Sequence, residues 1–200
     1  MFFIRLCAIL LFATSALAAT GDEERDLTKL RTLGFPGGDS VYIFTSAVCP
    51  HCATFHREVL PALIDKYVTS GKGQIFFVDD TDTSPALEAS MLARCLPMKQ
   101  SEQFMTKVFT KQRDWIGQKD AIDRLIRYAV TSGFTRKQAQ KCVADIELQR
   151  SMKNQWTNLA RVYNIRYFPT VAVRRGDIVK TYTGANKNIL LKGIELDFPE

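Results

Sequence analysis

Two hundred residues, 46% of them apolar, allow one domain with a real core, or one domain carrying a large insertion. The formal charge is +6, but the basic residues (Lys107, Lys111, Arg113, Arg124, Arg127, Arg136, Lys137) are scattered among acids, with no basic-aromatic ribbon. That pattern describes a solvated surface and argues against a nucleic-acid partner.

In chain order, the first segment is not expected to join the core. Arg5 supplies a positive start, Leu6 to Phe12 an apolar run, and Ala16-Leu17-Ala18 a small-residue cleavage pattern. The run is shorter than the roughly 20 residues of a membrane-spanning helix. Residues 1–19 are therefore expected to be a signal peptide, cleaved near Ala18/Ala19, and Cys7 leaves with it. The mature chain would enter a compartment where disulfides persist, the periplasm. Leu27, Leu30 and Leu33 are spaced for a brief helix, and Gly37-Gly38 for a turn. That segment is too short for a dimerisation domain, so a monomer is expected.

Val41 to Thr45 (VYIFT) reads as a buried strand. A helix follows from Pro50 to about Ser70, with Val59, Leu60, Leu63, Ile64 and Tyr67 at helical steps and Pro61 interrupting it. Gln74 to Val78 is a second buried strand, completing a βαβ unit. From Ser84 to about Val162 the period is helical throughout. Ser84-Pro85 with Glu88 opens one helix, which Pro97 ends. A second covers Ser101–Lys111, and Asp120 opens a third with Ile122, Leu125, Ile126 and Ala129 inward. Thr135 caps a fourth that carries Cys142, and the last presents Leu148, Met152, Trp156, Leu159 and Tyr163 to the core. Thr170–Arg174 and Ile178–Tyr182 form a hairpin, and residues 186–194 a closing helix. The order predicts an α/β sheet with an all-α insertion. Its parts are 20–83, the insertion 84–163, and 164–200.

Cys49-Pro50-His51-Cys52 sits where the first strand ends and its helix begins. Unpaired N–H groups and the positive end of the helix dipole favour an anionic sulfur at Cys49. Pro50 suits the first helical turn, and the thiolate is the reactive form of cysteine. Cys95 and Cys142 lie far apart, each in a helical pattern. Joined, they would close a loop of about 48 residues, which contributes about 4 kcal/mol in the chain-entropy model. Two separate buried thiols are the alternative. Structural zinc wants a second pair at comparable spacing, which these two do not form, so no metal is expected. His56, four residues after Cys52, reads as a surface or packing residue.

The Cys-Pro-His-Cys motif, the element order and Phe168-Pro169-Thr170 together resemble the DsbA-like branch of the thioredoxin fold, over essentially the whole mature chain. The pattern is most similar to members with a second, non-catalytic disulfide, which implies a Cys95–Cys142 bridge. The resemblance also implies a cis bond before Pro169, lying against the active-site pair, with Phe168, Pro169 and Thr170 offering backbone to an extended substrate. It implies a dithiol oxidase working through Cys49 and Cys52, with His51 and Pro50 tuning the nucleophile and no cofactor. Reduced exported proteins would be the substrates, and a quinone-linked membrane protein of the DsbB kind the reoxidase. Two residues depart from the pattern. Ile43 stands six residues before Cys49, where many relatives carry a buried acid, so that proton relay is missing. Phe168 is bulkier than the threonine or valine common before the proline. An isomerase or reductase would use the same residues with a less oxidising disulfide. A non-catalytic interaction protein would keep only the fold.

Overall fold

The computed structural model of the protein describes residues 30–199; the expected signal peptide and Leu27 lie outside them. Three strands precede the long helical stretch: β1 (Arg31–Leu33), β2 (Asp39–Thr45) and β3 (Gly73–Asp79). β2 and β3 run parallel, with Val41 beside Ile75 and Thr45 beside Asp79. Parallel neighbours need a crossover, and here it is helical. α1 spans Pro50–Glu58, and α2 spans Leu60–Leu63 before running on as a π-helical stretch, Ile64–Thr69. The break falls at Val59, because Pro61 has no N–H to give the carbonyl one turn back.

β4 (Thr170–Arg175) lies antiparallel to the other side of β2, and β5 (Ile178–Thr183) pairs antiparallel with β4. The five-stranded order is β1-β3-β2-β4-β5. The leucine spacing that predicts a helix near residue 30 is overridden: Arg31–Leu33 is strand, antiparallel to β3. Three residues carry too little periodicity to compete with the ladder that the open edge of β3 offers.

Between β3 and β4 the chain is helical, as its period predicts. The helices are α3 (Ser84–Cys95), α4 (Met98–Thr110), α5 (Gln112–Trp115), α6 (Ala121–Val130), α7 (Arg136–Val143) and α8 (Ile146–Val162). α9 (Lys187–Asp197) closes the chain. Thr135 and Gln138 form a reciprocal capping box on α7. Ser84 is the first helical residue of α3 and not its cap; its hydroxyl donates to Glu88 at 2.8 Å. Ile122, expected inward, is 41% exposed. Ala121, Leu125 and Ala129 form the buried row, and Ile122 is turned off it by one helical step.

Alternation along β2 sends Val41 and Ile43 to one face of the sheet, with Phe55, Leu63, Leu190 and Ile194. Tyr42 and Phe44 point to the other, against Trp156 and Leu159 of α8 and Tyr163 just after it. A further cluster fills the helical block around Leu92, Phe104, Trp115, Leu125 and Met152, and reaches Ala47 and Cys52. This is a thioredoxin-type α/β sheet with a helical insertion. Cys95 and Cys142 are bonded (S–S 2.10 Å, Cα–Cα 6.3 Å), tying α3 to α7.

Polar contacts fix the layers. Arg31, buried, pairs with Asp79 at 3.0 Å and Glu102 at 2.9 Å. Arg94 reaches Asp79 at 3.9 Å and donates to Gln155 at 2.8 Å, so the sheet is tied to α3, α4 and α8. At the opposite end of the sheet Asp39 accepts two bonds from Arg175, at 2.8 and 2.9 Å. There β2 and β3 start so close together that a Cβ on Gly73 would overlap the Asp39 carbonyl. Among the described residues no helix is long and apolar enough to cross a membrane.

Candidate active site

Cys49 is the N-cap of α1, in extended conformation, with Pro50 in the first turn and no side chain capping the helix. Its carbonyl already accepts the Cys52 and Ala53 amides, at 3.1 and 3.2 Å. The sulfur is held where first-turn N–H groups and the helix dipole favour negative charge. Its thiol is pulled from about 9 down to about 6. The largest cause is a hydrogen bond donated by the Cys52 thiol. Burial opposes it, and the Cys52 and His51 amides and the charge of His51 add to the lowering. The first-turn amides and His51 thus add to the lowering, but the second cysteine contributes most.

Cys52 is fully buried. Its thiol is pushed far up, first by its hydrogen bond to Cys49 and then by burial. The Ser46 amide donates to the sulfur at 3.4 Å and works the other way, while negative charge on Cys49 and Asp80 adds to the rise. The pair is therefore asymmetric, with one half-buried sulfur poised as an anion and one enclosed sulfur held as a thiol. Pro50 and His51 are exposed beside Cys49.

The peptide bond between Phe168 and Pro169 is cis. The Phe168 carbonyl oxygen lies 3.9 Å from the Cys49 sulfur, across 119 residues of chain. The Phe168 ring rests on Trp156, with centroids 5.3 Å apart. Pro169 is buried, and its carbonyl accepts the Gly184 amide at 2.8 Å. Thr170 begins β4 opposite Phe44, and its hydroxyl donates to the Tyr167 carbonyl at 2.8 Å. The motif and the Phe168-Pro169-Thr170 segment, distant in sequence, thus meet at one sulfur.

Two neighbours carried no sequence signal. Gln112, opening α5, donates to the carbonyls of Ala47 (2.8 Å) and Cys49 (3.0 Å), tying the helical block to the cysteine loop. Asp80, just past β3, acts on Cys52 through space. Each is one polar residue in a polar stretch, and only the fold brings it to the sulfurs. His56 packs its ring on Phe109 (centroids 4.9 Å apart), and burial with the nearby Arg31 charge takes it down to about 4. A cavity of about 480 Å³ between α1, α2 and α4 is lined by His56, Leu60, Pro61 and Phe109, and not by Cys49, Cys52 or Phe168. Among the described residues no three His, Cys, Asp or Glu converge as metal ligands.

A cysteine pair at a helix tip, set over a mixed sheet and against a cis-proline, is the layout of the thioredoxin class, here with the helical insertion of the DsbA type. Residues 36–187 match the Thioredoxin family model, and the chain belongs to that family. The structure is similar to α-DsbA1 from Wolbachia pipientis, with TM-score 0.74 and 21% identity over 84% of this chain and 89% of that one. It is also similar to oxidised BdbD from Bacillus subtilis, with TM-score 0.71 and 17% identity over 86% and 94%. At such identities the likeness is one of fold. A Rickettsia bellii relative provisionally named a protein-disulfide oxidoreductase is 28% identical over 110 residues, which are 54% of this chain and 42% of that one. The chain spans less than half the length of the curated relatives it matches.

Proposed function

We propose that the protein is a thiol:disulfide oxidoreductase acting as a dithiol oxidase in the periplasm, after cleavage near Ala18/Ala19. The observation that carries this reading is the asymmetry of the pair: Cys49 drawn down to about 6 beside an enclosed Cys52 thiol. A stabilised thiolate stabilises the reduced form, so the disulfide becomes the better oxidant; about 30 mV corresponds to 1.4 kcal/mol. A substrate thiolate attacks Cys49, and Cys52 is released. A second substrate thiol then attacks the mixed disulfide, and Cys49 departs as a low-pKa leaving group. His51 and Pro50 shape the environment of Cys49. The backbone at Phe168 and Pro169, with Thr170 behind it, receives an extended substrate segment, in a groove facing the helical block.

Reduced exported proteins are the substrates under this reading. A quinone-linked membrane protein of the DsbB kind restores the disulfide. The names of the Wolbachia, Bacillus and Rickettsia proteins support the same chemistry. The test is the redox equilibrium with glutathione, together with oxidation of a reduced test protein. The expected results are an oxidising potential and loss of activity in Cys49→Ala. A deeply reducing potential with an ordinary Cys49 thiol would overturn the oxidase, and retained oxidation by Cys49→Ala would overturn the site.

A further inference from the structure

The end of the sheet away from the cysteines carries a second cavity, of about 430 Å³, that the exchange chemistry does not use. Lys66, Lys72 and Arg175 line it, against a single carboxylate, Asp39. Arg175 is fixed in place. Two of its nitrogens hold Asp39 at 2.8 and 2.9 Å, and a third donates to the Pro199 carbonyl at 3.0 Å. Its guanidinium lies over the Phe198 ring, 5.2 Å from the centroid. Asp39 is thus engaged by Arg175, and the two lysines leave the wall with an excess of positive charge.

Lys66 and Tyr67 come from the π-helical stretch after α2, a winding that is rare and recurs at functional sites. Tyr67 belongs to the wall of the cavity, is 1% exposed, and its hydroxyl has no hydrogen-bond partner. Burial, and then the charge of Asp39, push that phenol up against the opposing charge of Arg175, so it stays a donor. A buried donor left unspent is costly, and an acceptor seated beside it removes the cost. The backbone of Lys72 is held as well: its carbonyl accepts the Asp39 amide at 2.9 Å, and a Cβ on Gly38 would overlap it. The loop that ends at Gly38 carries Phe35, 86% exposed.

The volume falls in the range of small-molecule sites, about 300–1,000 Å³. Tyr67 and Phe198 give it aromatic wall, which suits an organic body beside a charged group. A phosphate monoester brings about two negative charges and several strong acceptor oxygens, where a carboxylate brings a single charge on a flat group. Lysines meet such a group as point charges from separate sides.

We propose that this cavity binds a phosphate monoester, its phosphate held by Lys66, Lys72 and the Tyr67 hydroxyl and its organic part lying along Phe198. The same chemistry is found on a soluble metabolite and on a lipid headgroup. Phe35 bears only on the second, because an exposed ring beside a basic site can enter the interfacial layer of a membrane. Occupancy fastens the feet of β2 and β3 to the residues after α9, and the site stands apart from Cys49 and Cys52.

The test titrates glycerol phosphate into the full chain by calorimetry, against glycerol with sodium chloride at matched ionic strength. Saturable binding is expected for the phosphate alone, with a raised urea midpoint. Lys66→Gln with Lys72→Gln should weaken it about tenfold or more, and Tyr67→Phe about tenfold, the scale of a hydrogen bond to a charged group. Tyr67→Phe should not lower the midpoint of the free protein, whereas a hydroxyl serving only the fold would. A second arm sediments the protein with phosphatidylcholine vesicles, with and without phosphatidic acid. Sedimentation that needs phosphatidic acid, is lost in the lysine double variant and is weakened in Phe35→Ser assigns the ester to a lipid. Glycerol phosphate binding without sedimentation assigns it to a soluble metabolite. Binding in neither arm, or binding that the lysine and Tyr67 variants leave within about twofold of the wild type, sinks the proposal. The glutathione equilibrium of Cys49 and Cys52 should be the same in every variant, so this proposal and the oxidase reading fail on separate measurements.

Discussion

The first sulfur of the pair draws its acidity from three kinds of donor, and they can be separated. Because the Cys52 thiol is the largest cause, Cys52→Ala is expected to move Cys49 from about 6 back toward 9, read from alkylation rate against pH. If the helix terminus were the larger cause, the inflection would stay near 6. The sign also fixes a stability window for the reduced protein. Its folded Cys49 value lies below the unfolded one. The thiolate's contribution is therefore fully present above about pH 9 and is lost as pH falls through about 6. Urea midpoints of the reduced protein across that range should fall toward the acid end, and Cys49→Ala should remove that part of the slope. At this scale the sequence was informative where chemistry is local. Cys49, Pro50, His51 and Cys52 announce themselves by spacing at a strand-to-helix junction. Pro169 was legible only through resemblance. Gln112 and Asp80 were silent, because a glutamine reaching the loop across 63 residues and an acid in a run of acids look like solvated surface.

Elements were legible where their period is long or their punctuation strong. α8 carries a sustained apolar stripe, Pro61 breaks α1 from α2, and the capping box fixes the start of α7. β1 was not, since a three-residue edge strand has no period of its own and is defined by its partner. The disulfide between α3 and α7 also belongs to this scale. Replacing both cysteines (Cys95→Ser with Cys142→Ser) is expected to cost up to about 4 kcal/mol in urea unfolding. The glutathione equilibrium of Cys49 and Cys52 should stay where it is. A shifted equilibrium would mean that the bridge positions the Cys49–Cys52 pair instead of only holding the helices.

At the scale of the molecule, the cluster of Arg31, Asp79, Arg94 and Glu102, buried at Arg31 and Asp79, ties the sheet to the helical block. Cutting one member strands its partners in an apolar interior. Arg31→Met should therefore destabilise the protein by about 3–5 kcal/mol, measured by denaturant unfolding. Replacing Arg31 and Asp79 together by apolar residues should cost less than Arg31→Met alone, because the uncompensated charge goes with its partner. That arrangement was invisible in the sequence, where Arg31 belongs to a stretch that reads as a brief helix.

The pinch between Gly73 and Asp39 lies at the foot of the two parallel strands, roughly 20 Å of strand from the cysteine loop. A side chain there would pry apart the feet of β2 and β3 and loosen the clasp between Asp39 and Arg175. Molecules that still reached the native state would carry their sulfurs in unaltered surroundings. Variation at the pinch is thus filtered by how many copies mature, and variation at the head by what each copy does, so the two ends of one sheet answer to separate selective pressures.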